Sequence, residues 1–326
     1  MTQVLITVDT ELSALLHQRG ATADANLASS VTGQAGKSVV GIGWQMDCLD
    51  HHGLKGVFFV DPMPGLVFGP DIIRRMIDPI LTRGHEVQLH THTEWLEWAR
   101  HSPVGNRRGG NIGDFPLEDQ IVLLEWSREA LESAGAPRSI AFRAGNYGAN
   151  DDTLKALATL GIIWDASYNA CFRNGPCRIG IGPDQIDPLV RFDVTEIPVA
   201  AIVDRPGSIR PAQVCALSAR EMRQGLCHAA ETGRPVFSIV THSFEMLSRD
   251  RRRPNHAVMR RFEAMCAVIA GHSGLEAAGF ADLDHGIAQQ DRDQGTRLGP
   301  DRMRTLSRVV QQALATWVYD RQFLPA

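Results

Sequence analysis

The sequence predicts an α/β fold with about seven strands and a helix after most of them, either a (β/α) barrel or an open doubly wound sheet. Three observations carry that prediction. Short apolar runs alternate with helix-like stretches along most of the 326 residues. Several runs, such as Val4-Leu5-Ile6-Thr7-Val8 and Val57-Phe58-Phe59-Val60, are nearly continuous, as strands buried on both faces of a parallel sheet must be. Finally, no GxGxxG or GxxxxGK[ST] follows any run, so the nucleotide-binding open sheets lose their main support.

In chain order the expected strands are Val4–Val8, Gly56–Val60, Glu86–Leu89, Ser139–Phe142, Ile162–Trp164, Thr195–Val203 and Pro235–Thr241. The segment Asp71–Thr82 places Ile72, Ile73, Met76, Ile77 and Ile80 on one helical stripe. Leu117–Ser133 repeats the pattern and stops at Gly135 and Pro137. Asn150–Leu160, Ser218–Glu231 and Ala257–Ala270 each run up to a glycine in the same way. Two polar stretches, Arg19–Gly43 and Arg100–Gly113, read as long surface loops. A polar segment after Leu283 leads to a helix near Met303–Tyr319. The expected organisation is a barrel over residues 1–285 with a C-terminal helical appendage, 286–326, packed on the same domain.

Composition agrees with a large folded core, at 44% hydrophobic and 21% charged residues. A net charge of -4 gives no pull toward nucleic acid or an anionic membrane. No apolar run approaches the ~18 residues of a membrane span. The N-terminus reads as a strand that begins at once and not as a signal peptide, so a cytoplasmic location is expected. None of the six cysteines forms a CxxC pair, and reduced thiols are expected.

In a parallel α/β barrel the chemistry gathers at the C-terminal ends of the strands. The first strand ends in Asp9-Thr10-Glu11, two carboxylates that point the same way on an extended chain. Such a pair is costly without a cation or a proton between its members. The third strand ends in His90-Thr91-His92-Thr93-Glu94, with the same spacing for two imidazoles. Two histidines and a carboxylate form the ligand set of a catalytic divalent metal. HxH alone more often caps a strand, and the Asp9/Glu11 pair tips the reading to metal. The fourth strand runs into Arg143-Ala144-Gly145-Asn146-Tyr147-Gly148, an arginine before a turn that can expose backbone N–H groups. The seventh ends in His242, which by itself would read as structural.

Taken together, these segments resemble the polysaccharide deacetylase family, which shares homology with the rhizobial nodulation deacetylase. The resemblance spans roughly Val4 to Glu245, and its most specific piece is Gly84-His85-Glu86 leading to His90. It implies a distorted (β/α) barrel with fewer than eight units, which suits a count of seven. It further implies hydrolysis of an N-acyl group by metal-activated water. Asp9 matches the general base, Arg143 the residue that orients it, and His242 the acid that protonates the leaving amine. Glu11, His90 and His92 match the metal ligands, with Glu94 an alternative to His92. Asn146 or Tyr147 would offer the oxyanion a backbone N–H, and Asp165 at the fifth strand end lines the site or caps a turn. Zinc is the first choice of ion, with cobalt, nickel or iron as alternatives.

The sequence departs from the common family pattern in three places. Thr10 stands where most members have a second Asp, Glu94 where they have the later His of HxxxH, and one extra residue precedes Tyr147. These departures point away from secreted chitin and xylan deacetylases and toward bacterial relatives of surface-polysaccharide or O-antigen biosynthesis. The expected substrate is a small-molecule, lipid-linked or nucleotide-linked amino sugar carrying an acetyl or formyl group. Alternatives are a small amide or ureide as substrate, or a catalytically idle saccharide-binding domain. Trp95, Trp98, Tyr147, Trp164 and Tyr168 are candidates for stacking on a sugar, and equally for packing. The run Arg249-Asp250-Arg251-Arg252-Arg253 reads as a solvated loop, with a phosphate or uronate clamp as the functional alternative.

Overall fold

In a computed structural model, residues 1–288 and 294–320 are described. Nine strands form one curled sheet: β1 (Thr2–Thr10), β2 (Val57–Val60), β3 (Glu86–Thr91), β4 (Ala141–Ala144), β5 (Trp164–Asp165), β6 (Leu189–Arg191), β7 (Val194–Glu196), β8 (Val236–His242) and β9 (Leu275–Ala278). Their order is β8-β1-β2-β3-β4-β5-β7-β6, with β9 also paired to β1. All pairings are parallel except that of β6 with β7. The N-terminal half of β1 pairs with β9 and its C-terminal half with β2, so the sheet splays at the bottom. After β7 the chain laps onto β8 through the bridges Val199↔Ser238 and Gln213↔Val240, which curl the sheet toward a barrel.

The sheet holds two strands beyond the seven expected, β6 and β9, and one expected run is cut short. The run 195–203 breaks after Glu196, where Pro198 has no N–H to give to a ladder, and resumes as a separate hairpin with Ser208–Pro211. Leu189–Arg191 and Leu275–Ala278, of three and four residues, are too short for periodicity to mark them. The helices lie within a residue or two of expectation, over Asp71–Thr82, Leu117–Ala134, Asp151–Leu160, Ala219–Glu231 and His256–Gly271. Ser218 and Glu221 form a reciprocal capping box at the start of the fourth of these.

The stretch 19–43 is not the open loop expected. It folds into the short helix Ala23–Leu27, a further helical turn and a two-residue hairpin. Asn26 anchors it, accepting from the Ser13 N–H at 2.9 Å and donating to the Ser13 carbonyl at 2.8 Å. The helix Ile42–His51, which follows directly, was also missed.

Of the expected appendage 286–326, residues 289–293 and 321–326 lie outside the described residues. Its helix, Arg302–Tyr319, contacts the rest of the chain through polar groups. Arg308 donates to Glu221 Oε1 at 3.0 Å and to Asp204 Oδ1 at 2.6 Å, with all three side chains buried. Its apolar residues face outward, Met303 at 69%, Leu306 at 57% and Leu314 at 59% exposure.

Candidate active site

The strand register brings the chemistry-bearing ends together. Asp9 lies opposite His242 on β8 and Phe59 on β2, and His90 lies opposite Arg143 on β4. A cavity of about 370 Å³ opens there, lined by Asp9, Glu11, His90, His92, Asn146, Tyr147, Phe172 and His242 among others. Eight of the nine site residues expected from sequence are therefore at or directly beneath this cavity, Arg143 being the one beneath.

Glu11, His90 and His92 present one ligand atom each, all within 4.8 Å of one another. Glu11 Oε2 lies 2.5 Å from His92 Nε2 and 3.3 Å from His90 Nε2. The far nitrogen of each ring is held separately. His90 Nδ1 lies 2.6 Å from the Arg143 carbonyl, an acceptor only, so Nδ1 is the donor there and Nε2 is turned toward Glu11. His92 Nδ1 lies 2.9 Å from Glu94 Oε2. Glu94 thus orients His92 from behind and does not join the cluster. Two imidazole nitrogens and a carboxylate oxygen, each ring fixed by an outer partner, fit a divalent cation with open positions left for substrate.

Asp61 was missed by sequence reasoning. It directly follows β2, so the strand-end rule that led to Asp9 marks it too. Its Oδ1 accepts the Met63 N–H at 3.0 Å and the His92 N–H at 3.3 Å, while the buried Oδ2 has no partner. Burial, the largest influence, raises its carboxyl to about 6 despite the nearby His92 and His90. Gly145 is also fitted to His92: a Cβ there would meet the imidazole Cγ at 2.8 Å.

Arg143 is fully buried. Its Nη1 donates to Asp9 Oδ1 at 2.7 Å and to Thr7 Oγ1 at 2.8 Å, and its Nε to the Ala166 carbonyl at 3.1 Å. Burial pushes the Asp9 carboxyl up, but the Arg143 guanidinium, aided by His90 and His242, outweighs it and holds the group below the usual carboxylate range. His242 moves the other way. Burial lowers it, yet the hydrogen bond and charge of Glu245, 2.8 Å from Nδ1, raise it to about 9. Its Nε2 faces Asp9 Oδ2 at 3.8 Å. At neutral pH the cavity therefore holds an ionised carboxylate beside a protonated imidazole.

Asn146 and Tyr147 take consecutive left-handed conformations, with φ of 56° and 57°. Two non-glycine residues in this region are strained, and such turns point successive N–H groups into a concave face. Tyr147 packs against Phe172 at 5.2 Å between ring centroids, and Phe172 is 39% exposed at the rim.

Asp165 is the expected residue that the structure places elsewhere. It is fully buried, accepts from Ser167 Oγ at 2.6 Å, and lies opposite Glu196 of β7, away from the cavity. Of the aromatic candidates, Trp95, Trp164 and Tyr168 are core residues, and Tyr147 alone lines the cavity.

No family model matches the sequence, and no curated protein matches it either. Solved structures do match in fold. A structure described as "putative polysaccharide deacetylase from Mycobacterium smegmatis" aligns over 92% of this chain and 94% of its own, at 19% identity and a TM-score of 0.56. A 4-alpha-glucanotransferase from Thermococcus litoralis aligns over 86% of this chain and 40% of its own, at 10% identity and a TM-score of 0.50. At such identities the likeness is one of fold. The barrel expected from the resemblance to polysaccharide deacetylases is the fold observed.

Proposed function

We propose that this chain is a divalent-metal-dependent hydrolase that removes an N-acyl group, acetyl or formyl, from an amino sugar in bacterial surface-polysaccharide assembly. The observation that carries the reading is the meeting, in one cavity, of the Asp9 carboxylate, the His242 imidazole and a three-donor cluster suited to a cation. A cavity of about 370 Å³ is of a size for one sugar ring with its acyl arm.

Glu11, His90 and His92 would hold the ion, zinc being our first choice. A cation bound there supplies Lewis acidity toward the acyl oxygen and toward a nearby water. Asp9, kept ionised by Arg143, takes the proton from the attacking water. Arg143 cannot itself act as an acid here, because its charge is committed to Asp9 and it lies beneath the cavity floor. The strained turn at Asn146 and Tyr147 offers backbone N–H groups to the oxygen as it gains charge. His242 then delivers a proton from Nε2 to the leaving amine, which as an amide anion would be too basic to depart. Phe172 and Tyr147 give the sugar an apolar face to rest on.

The test pairs metal content with turnover of N-acetyl and N-formyl hexosamines. Wild type should carry a divalent ion near stoichiometry and release acetate or formate, and His90→Ala/His92→Ala should lose both. Asp9→Asn should keep the ion and lose ~10²–10⁴ of kcat. A metal-free, fully active wild type would refute the proposal.

A further inference from the structure

Beside the candidate active site lies a second, larger cavity of about 540 Å³, between the segment after β8 and the C-terminal helix. The two cavities share a wall. His242 lines the first and Glu245 the second, and these two are hydrogen-bonded at 2.8 Å. Phe244, which also lines the second, has its ring 5.2 Å from that of His242.

Three arginines line this second cavity, Arg249, Arg251 and Arg261, against two carboxylates, Glu245 and Asp320. Both carboxylates are already engaged. Glu245 accepts from Gln213 and Thr241 and holds His242, and Asp320 Oδ1 accepts the Arg249 N–H at 2.7 Å. Among the described residues no carboxylate lies within 4.0 Å of the guanidinium of Arg251 or Arg261. Arg261 is only 8% exposed and donates to the Cys215 carbonyl at 3.0 Å, a neutral acceptor. A buried guanidinium without an anion is expensive. Burial lowers the pKa of both arginines, more than the charges of Glu11 on Arg251 and of Cys215 and Glu221 on Arg261 raise it.

Arg251 is held in place by two neighbours. Its guanidinium stacks on Phe244 at 4.4 Å and donates to Ser30 Oγ at 2.7 Å. Its backbone sits at φ 58°, a left-handed strain that the loop must sustain. The sixteen-residue helix His256–Gly271 begins at the same cavity, which Asn255, Ala257 and Val258 line. The N–H groups of His256 and Ala257 have no partner among the described residues. A helix start and two arginines without carboxylate partners converge on one space beside the reacting centre.

We propose that this second cavity is an oxyanion subsite that takes a carboxylate or phosphate carried by the N-acyl amino sugar. It rests on the amino-sugar reading given above and adds that the substrate is acidic. Arg251 and Arg261 bind the oxyanion and the start of the helix caps it. The wall formed by His242 and Phe244 sets the distance from the anion to the acyl group.

Calorimetric titration of the full-length protein with inorganic phosphate, and separately with glucuronate, tests binding without relying on turnover. Wild type should bind one or both saturably. Arg251→Gln and Arg261→Gln should each weaken binding about tenfold or more, as loss of a charge-assisted contact does. Arg251→Gln should keep the wild-type melting temperature, which protects the test if Arg261→Gln is unstable. His90→Ala/His92→Ala should still bind; loss there would put the anion on the metal centre and overturn the subsite. Absence of binding in wild type, or binding of wild-type strength in both arginine variants, would overturn it too. In a kinetic arm, kcat/KM for a phosphorylated or uronic N-acetylhexosamine should exceed that for the neutral sugar about tenfold or more, and Arg251→Gln should erase the difference. Equal values in wild type would overturn the acidic-substrate claim. No turnover of any N-acyl sugar would instead sink the amino-sugar reading, leaving the binding result to decide the subsite.

Discussion

Asp9 and His242 face each other at 3.8 Å, yet their surroundings drive them to opposite protonation states. Arg143 beneath Asp9 favours the anion, and Glu245 behind His242 favours the cation. The pH dependence follows in sign. With His242 raised to about 9, it holds its proton at neutral pH and loses it as the pH climbs through that value. The turnover of an N-acyl substrate should therefore fall on the alkaline side near pH 9, read from kcat across a pH series. His242→Ala should slow N-acyl hydrolysis by ~10²–10⁴ but an acetate ester much less, because an alkoxide departs more readily than an amide anion. Equal losses on both substrates would remove the acid role. Asp61 acts one step further out, holding the His92 N–H and not the ring. Asp61→Ala should weaken metal binding ~10–100-fold, measured by competition with a chelator, as loss of outer support does.

At the scale of elements, the pairing of β1 with β8 is what sets Asp9 against His242, residues separated by 233 positions in sequence. The turn after β4 contributes differently: Gly145 lets the His92 ring approach, and the two residues after it take left-handed conformations beside the cavity. The C-terminal helix is attached by ions and leaves Met303, Leu306 and Leu314 outside. Arg308→Ala would leave Glu221 without its cation and Asp204 with Arg210 alone. Removing one partner of a buried ionic cluster costs ~3–5 kcal/mol. The expected outcome is faster proteolytic loss of this helix and a lower unfolding free energy in denaturant titrations. Unchanged values for both would mean that other contacts carry the helix.

Across the molecule, Asp165 and Glu196 join β5 and β7 through a buried carboxyl pair. Burial is the main cause raising both, Asp165 raises Glu196 further, and each has one buried oxygen without a partner other than its opposite number. A proton shared between those two oxygens satisfies both. In the window above the ordinary carboxyl range of about 4, the folded chain then binds more protons than the unfolded one. This contribution to stability is complete at low pH and is lost as pH rises through the folded values. Glu196→Gln, which keeps a donor at the same place, should flatten that decline in denaturant midpoints between mildly acidic and alkaline pH. A decline of wild-type size in the variant would show that the pair does not share a proton. The sequence by itself determined the alternation of strands and helices, through runs whose apolar pattern is local. It also determined most of the site, because Asp9, Glu11, His90, His92, Arg143 and His242 each follow from a strand end or a short motif. Asp61 was legible by the same rule. What only the tertiary structure decided are the relations between distant segments. It sent Asp165 toward Glu196 and away from the cavity, and made Glu94 a support for His92 instead of a neighbour of the cluster. It also brought Arg251, Arg261 and a helix start to one space. The reason is physical: a residue's type and spacing record what it can do, while charge, burial and hydrogen bonding depend on partners that only the curled sheet brings within reach.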